Sequence, residues 1–140
     1  MIEPKDLLDQ AIALLASARN EVDYRNVIER AYYSAYHATS GFEEGLPFRS
    51  KAQPPKGGTH EALLQRLERP DAQLDYGLQT TSKYVGARLR MFKAIRELAT
   101  YELNESVGIH QAEEAILTAK DILDECTQGR KKLKTLAGKG

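Results

Sequence analysis

Four polar side chains recur at helical spacing in one segment of the chain. Asn26, Arg30, Tyr33 and His37 are separated by four, three and four residues, so an α-helix would carry them on one side. They place an amide, a guanidinium, a phenol and an imidazole in a row, which are groups that bind anions or exchange protons. The row is therefore a candidate binding or catalytic site.

A later helical segment carries a local excess of basic side chains: Lys83, Arg88, Arg90, Lys93 and Arg96. Arg88 falls within the apolar stripe of this segment, on the same side as Phe92 and Ile95. A buried arginine needs an acidic partner, an anionic ligand or a subunit interface. Arg88 is therefore a further candidate, and packing of the two helices side by side would bring Arg96 and Tyr101 against the first row.

The elements that position these residues are all predicted to be helices. Apolar residues recur with a helical period over five segments: about Pro4 to Ala18, Val22 to Glu44, Thr59 to Pro70, Gln73 to Leu103 and Ile109 to Thr127. Thr59 is expected to cap the short third helix. The pattern predicts an all-α, up-and-down bundle of four main helices plus one short helix. Residues 1–128 should form a single domain, and residues 129–140 a basic, flexible tail.

Composition limits the classes of function. Lysine plus arginine and aspartate plus glutamate both number 20, so any surface that attracts a polyanion must be local. The single cysteine, Cys126, cannot form an internal disulfide and is expected to be a buried structural thiol. We predict no metal or other cofactor, because His110 with Glu113 or Glu114 has no matching pair on another helix. The N-terminus is too acidic for a signal peptide and no apolar run reaches ~18 residues, so we expect a cytoplasmic protein that does not enter the membrane.

The segment RAYYSAYHA, from Arg30 to Ala38, resembles the arginine, double-tyrosine and aromatic-histidine signature of the HEPN domain family. The segment RELATY, from Arg96 to Tyr101, resembles a second motif of that family, with Thr100 where an aspartate is usual. His60, after the glycine-rich loop, is similar to the start of the family's short third helix. The three segments occur in the family's order, and the resemblance covers about Asp6 to Glu125.

The resemblance implies a helical bundle that commonly forms a homodimer and serves in toxin–antitoxin, antiviral-defence or RNA-processing systems. Many members are metal-independent ribonucleases whose motif is an arginine followed a few residues later by a histidine. Arg96 occupies the arginine position, but Thr100, Tyr101 and the two residues after them occupy the positions expected for the histidine. His37 is then the best substitute for the proton-transfer group, because histidine titrates near neutral pH. Tyr101 also resembles a tyrosine that a partner nucleotidyltransferase modifies in similar toxins.

Three interpretations follow. The first is an RNA- or nucleotide-binding module of toxin–antitoxin or defence type that acts with a partner protein and binds through Asn26, Arg30, Tyr33 and Arg88. The second is a metal-independent endoribonuclease whose catalytic residues are Arg96, His37 and Tyr101. The third is a purely structural dimeric protein in which the same side chains hydrogen-bond across a subunit interface.

Overall fold

The computed structural model describes residues 1–54 and 56–139. Its regular structure in that part of the chain consists of five helices: α1 (Pro4–Ser17), α2 (Glu21–Glu44), α3 (Thr59–Glu68), α4 (Tyr76–Tyr101) and α5 (Ile109–Lys139). The predicted all-α bundle of four main helices and one short helix is confirmed. Among these five helices, none is both long enough and apolar enough to cross a bilayer.

Capping side chains mark where two of the helices, α2 and α4, begin. Asn20 and Asp75 each cap the helix that follows, because their side-chain oxygens accept the backbone N–H three residues later, at 3.0 and 3.2 Å. The predicted cap of α3 is wrong. Gly58 precedes this helix, Thr59 is its first residue, and no side-chain hydrogen bond caps it.

Helix α2 is the centre of the bundle and packs against all four other helices. Its inward side chains, which include Tyr32 and Phe42, are fully buried. Gly86 of α4 lies against α3, where a Cβ would stand 2.9 Å from Cβ of Leu67, so the missing side chain lets the two helices approach closely. Cys126 is buried as predicted, and burial raises the pKa of its thiol to about 12.

A buried carboxylate fixes the position of α3. The side chain of Glu43, at the end of α2, is 1% exposed and binds two arginines. Arg49 from the following loop donates to it at 2.7 Å, and Arg66 from α3 donates at 2.9 Å. Burial favours a raised pKa for Glu43, but these hydrogen bonds and charges outweigh it and hold the pKa below its ordinary value. The ionised carboxylate therefore joins α2, the loop and α3.

The last helix continues well beyond its predicted end at Thr127. Gly129 suggested a helix terminus, yet it is buried within α5, and a Cβ there would lie 2.6 Å from Cε2 of Phe42. Two later residues also hold the segment in place: Leu133 packs against the core, and Lys132 Nζ lies 3.3 Å from Asp75 Oδ2. Helical structure therefore extends through the segment expected to be a flexible tail, and packing against the bundle extends to Leu133. The single domain over residues 1–128 stays a prediction.

Helix α4 leaves an apolar strip exposed. Only part of its apolar set is buried, including Phe92 and Ala99. Four others are between 39% and 65% exposed: Tyr84, Met91, Ile95 and Leu98. We call these four residues the α4 seam. The apolar residues of α4 spread over a wider arc of the helix than the stripe of about 100° that typically faces the core.

Candidate functional site

An ion pair between α2 and α4 lies at the centre of the candidate site. Nη2 and Nε of Arg96 donate to the same oxygen of Glu29, at 2.9 and 3.1 Å. The hydroxyl of Thr100, one turn further along α4, donates to the other carboxylate oxygen. Burial alone would lower the pKa of Arg96, but the hydrogen bonds and charge of Glu29 raise it instead. The guanidinium therefore remains charged and fixed in orientation.

Three tyrosine rings surround this guanidinium. Its central carbon lies 5.6 Å from the ring centroids of Tyr32 and Tyr33 and 5.9 Å from that of Tyr101. These distances are in the range of cation–π attraction, which contributes roughly 0.5 to 2 kcal/mol for each ring. Tyr101 is 67% exposed, so part of this arrangement faces solvent. We call Arg96, Glu29 and the three tyrosines the arginine–tyrosine cluster.

Two histidines adjoin the cluster in different environments. His60, in the first turn of α3, accepts or donates a hydrogen bond of 2.7 Å between Nδ1 and the Tyr32 hydroxyl, and its ring stacks on Tyr36 at 4.2 Å. His37 is exposed, and its ring lies 6.2 Å from that of Tyr33 and 5.3 Å from that of Tyr36. The pKa of His60 is lowered, first by burial and then by the charges of Arg96 and Lys93. His60 is therefore neutral at physiological pH.

The structure brings together four of the predicted site residues: Tyr33, His37, Arg96 and Tyr101. Tyr33 of the α2 row lies against Arg96 of α4, and His37 adjoins Tyr33. Asn26 and Arg30 lie on the same side of α2, but their side chains form no hydrogen bond or ion pair with any residue that the structure describes.

Arg88 belongs to a different surface. It lies eight residues before Arg96, which corresponds to ~12 Å along the helix. Its Nε is 3.1 Å from Oδ2 of Asp121 on α5, in a geometry that makes no hydrogen bond, and Tyr84 donates to the same oxygen at 2.7 Å. The side chain is 36% exposed rather than enclosed in the apolar core. Of the alternatives open for Arg88, the structure provides the acidic partner within the chain.

Three residues of the site were not predicted from the residue pattern alone. Glu29 belongs to no motif or periodic pattern in the sequence, and Tyr32 lies at an apolar position of α2. His60 entered only through the family resemblance, although its position directly after the glycine-rich loop was a usable signal. None of these residues could be linked to Arg96 without knowing how α2, α3 and α4 pack.

The cluster offers a charged and aromatic surface rather than a metal site. Within residues 1–54 and 56–139, no group of three or more histidine, cysteine, aspartate or glutamate side chains is placed to hold a metal ion. Comparisons of the chain with protein-family models, with curated proteins and with solved structures find no match. The class that the structure defines is an all-α bundle with an arginine–tyrosine cluster between two of its long helices.

Proposed function

We propose that this protein is a HEPN-like RNA- or nucleotide-binding module of toxin–antitoxin or antiviral-defence type. The observation that carries the proposal is the arginine–tyrosine cluster, in which the charged side chain of Arg96 is 16% exposed and the adjoining ring of Tyr101 faces solvent. The resemblance of RAYYSAYHA and RELATY to the HEPN family supports the same proposal, because these segments contribute most of the cluster.

The chemistry of the cluster suits unpaired nucleotides. Proteins bind single-stranded RNA by stacking bases on aromatic rings and on arginine planes, and by placing positive charge near phosphates. Tyr101 offers an exposed ring, and the guanidinium of Arg96 lies beside it. Arg30, with no acidic partner among the described residues, adds positive charge on the same side of α2. A base on Tyr101 with its phosphate toward these arginines would use both kinds of group.

Binding suits this geometry better than cleavage. Metal-independent cleavage of RNA needs a base for the 2′-hydroxyl, an acid for the leaving oxygen and positive charge for the phosphorane. The charge of Arg96 is largely balanced by Glu29. His37, the candidate base, forms no hydrogen bond that would orient its ring within the part of the chain that the structure describes. The cluster thus resembles a recognition surface more than a set of aligned proton-transfer groups.

A matched pair of exposed tyrosines on α4 provides the test. Tyr101 is the last residue of the helix and Tyr76 the first, with exposures of 67% and 82%. We would measure fluorescence anisotropy of a labelled single-stranded RNA dodecamer with wild-type protein, Tyr101→Ala and Tyr76→Ala. Loss of one stacked base should weaken binding by roughly 5- to 150-fold in Tyr101→Ala, whereas Tyr76→Ala should bind like wild type.

The same samples distinguish the alternatives. Equal affinities for the two variants, or no binding by the wild type, would contradict the proposal. Incubation with the RNA in EDTA, followed by gel electrophoresis, reports cleavage. Cleavage that is lost in Arg96→Ala and His37→Ala would replace the binding module with a metal-independent ribonuclease.

We also propose that the module is a homodimer that pairs through the α4 seam. Tyr84, Arg88, Met91, Ile95 and Leu98 alternate steps of four and three residues, which is the spacing of a coiled-coil interface. A hollow of about 200 Å³, lined in part by Ile95, Leu98 and Val107, lies beside the seam and could receive an apolar side chain of the second copy. A symmetric pair would bury the same strip on both subunits.

Light scattering after size-exclusion chromatography tests the dimer. The variant Ile95→Glu should shift the protein to the mass of one chain, because a charge would replace an apolar contact on both subunits. Val22→Glu, at a 65% exposed position on α2, is the control and should leave the mass unchanged. A wild-type protein that elutes with the mass of one chain at micromolar concentration would rule out this dimer.

The proposal includes dependence on a second protein, a nucleotidyltransferase in the systems that the chain resembles. The exposure of Tyr101 supports this part, because its hydroxyl can be reached from solvent. Modification there would add a charged group beside Arg96 and cover the ring. Mass spectrometry of protein purified from its own cells should detect a nucleotidyl adduct on Tyr101, and its consistent absence under all growth conditions would contradict this part.

A further inference from the structure

His60 is held in place beside the arginine–tyrosine cluster by a stacked ring and a hydrogen bond. Its ring stacks on Tyr36 with an interplanar angle of 16°, and Nδ1 lies 2.7 Å from the hydroxyl of Tyr32. Tyr36 also contacts the ring of His37, so His60 adjoins the row of side chains on α2. The imidazole is half-buried, and a flip of the ring would break its hydrogen bond to Tyr32.

The hydrogen bond to Tyr32 decides which ring nitrogen carries the proton. Tyr32 is fully buried, and His60 Nδ1 is the one hydrogen-bond partner of its hydroxyl among the residues that the structure describes. Burial raises the pKa of Tyr32, so the phenol keeps its hydrogen. That hydrogen needs an acceptor, because a buried and unpaired hydroxyl is costly. The Tyr32 hydroxyl therefore donates to Nδ1, and the imidazole proton lies on Nε2.

The second ring nitrogen of His60, Nε2, is available for a hydrogen bond to a ligand. Nε2 has no hydrogen-bond partner in the described part of the chain. Only one side-chain nitrogen or oxygen atom there is both buried and without a partner, and that atom is Arg88 Nε. It follows that Nε2 reaches solvent. His60 thus presents an N–H donor with a fixed direction and no basic lone pair on its outer side.

We propose that Nε2–H of His60 is a hydrogen-bond donor to a phosphate oxygen of the RNA or nucleotide that occupies the cluster. This inference rests on the proposed function and adds a residue to that site. It also assigns a role: His60 recognises the ligand and is not a general base, because its one unprotonated nitrogen already accepts from Tyr32. Lys93 and Arg96 on α4 place positive charge beside the ring, which attracts a phosphate, and their acidic partners Glu97 and Glu29 offset part of that charge.

Nitrogen-15 NMR of histidine-labelled protein tests the tautomer without any ligand. The chain has three histidines, so His60→Gln identifies the signal of His60. We expect that signal to show a neutral ring protonated on Nε2 at pH 7. A ring protonated on Nδ1, or one that carries both protons at pH 7, would overturn the inference.

Binding of the labelled RNA dodecamer tests the role. His60→Ala should weaken binding by roughly 10- to 150-fold, as expected for the loss of a hydrogen bond to a charged group. His60→Gln, which offers an amide N–H close to the position of Nε2, should recover part of that loss. His110→Ala is the control, because this histidine is 92% exposed on α5. Thermal melting of each variant establishes that it is folded.

The outcomes separate the inference from the function on which it rests. Wild-type affinity in His60→Ala, together with weak binding by Tyr101→Ala, would overturn the role of His60 and leave the binding module intact. No binding of RNA by the wild-type protein would overturn both. Weak binding by His60→Ala with partial recovery in His60→Gln would support both.

Discussion

Replacing Glu29 by glutamine should make the protein bind RNA more tightly. Glu29 neutralises the guanidinium of Arg96 through two hydrogen bonds to one oxygen, at 2.9 and 3.1 Å. Glutamine keeps the shape of the side chain and an oxygen that accepts from Arg96, but it removes the negative charge. The change therefore alters the electrostatics of the site while it preserves most contacts between α2 and α4.

The size of the effect follows from the geometry of the ion pair. A phosphate on the outer side of the guanidinium would lie ~6 Å from the Glu29 carboxylate, since one hydrogen-bond length separates each from the arginine. Two charges at that distance repel by roughly 1 to 3 kcal/mol when the effective dielectric constant is about 60 to 20. Removal of the repulsion predicts affinity that is roughly 5- to 100-fold higher.

Anisotropy titrations of the RNA dodecamer at two salt concentrations measure this gain. Glu114→Gln is the matched control, because it changes the net charge equally on an exposed part of α5. The gain in Glu29→Gln should exceed that of the control and diminish at higher salt. If Glu29→Gln binds no more tightly than the control while it remains folded, Arg96 does not contact phosphate, and the reasoning from the cluster fails.

Three further predictions concern stability and reactivity. Glu43→Gln should lower the free energy of unfolding by about 3 kcal/mol at neutral pH, because two arginines lose a buried counter-charge. The pKa of Glu43 is depressed in the folded protein, so its contribution to the free energy of unfolding is complete above the ordinary value of 4.5. That contribution is lost as the pH falls through the folded pKa. Urea titrations should therefore show the stabilities of the variant and the wild type converging in acid. Gly129→Ala should cost about 1 to 3 kcal/mol through overpacking, whereas Gly138→Ala, with open space around it, should not lower the melting temperature. Cys126 should resist Ellman's reagent at pH 8 in the folded protein and react in urea, because burial raises its pKa to about 12; rapid reaction without urea would show that the thiol is accessible.

The sequence was sufficient for the helices but not for all of their ends. Periodic apolar residues and caps such as Asn20 and Asp75 act locally, so the starts of α2 and α4 could be predicted within a few residues. The end of α5 could not be predicted, because a glycine such as Gly129 can either end a helix or allow close packing within one. Glycine often terminates a helix, but here its missing side chain admits the ring of Phe42. Only the packing of α5 on α2 distinguishes the two cases.

The site was predictable where its residues share a helix and not where they meet across helices. Helical spacing placed Tyr33 and His37 on one side of α2, and the resemblance directed attention to Arg96 and Tyr101. No periodicity reveals that Glu29 faces Arg96, since the two residues are 67 positions apart. For Arg88 the error was the opposite one, because its position in an apolar stripe suggested a burial that the structure does not show. The stripe is wider than the part of α4 that contacts the core.

The concentration of aromatic residues at the site gives the protein a built-in optical signal. The chain has seven tyrosines and no tryptophan, so its ultraviolet fluorescence comes from tyrosine alone. Tyr32, Tyr33, Tyr36 and Tyr101 all lie in the arginine–tyrosine cluster or on the histidines beside it. More than half of the emitting groups therefore lie in or beside the proposed binding site. The unlabelled protein should report occupancy of its own site through quenching of its intrinsic emission.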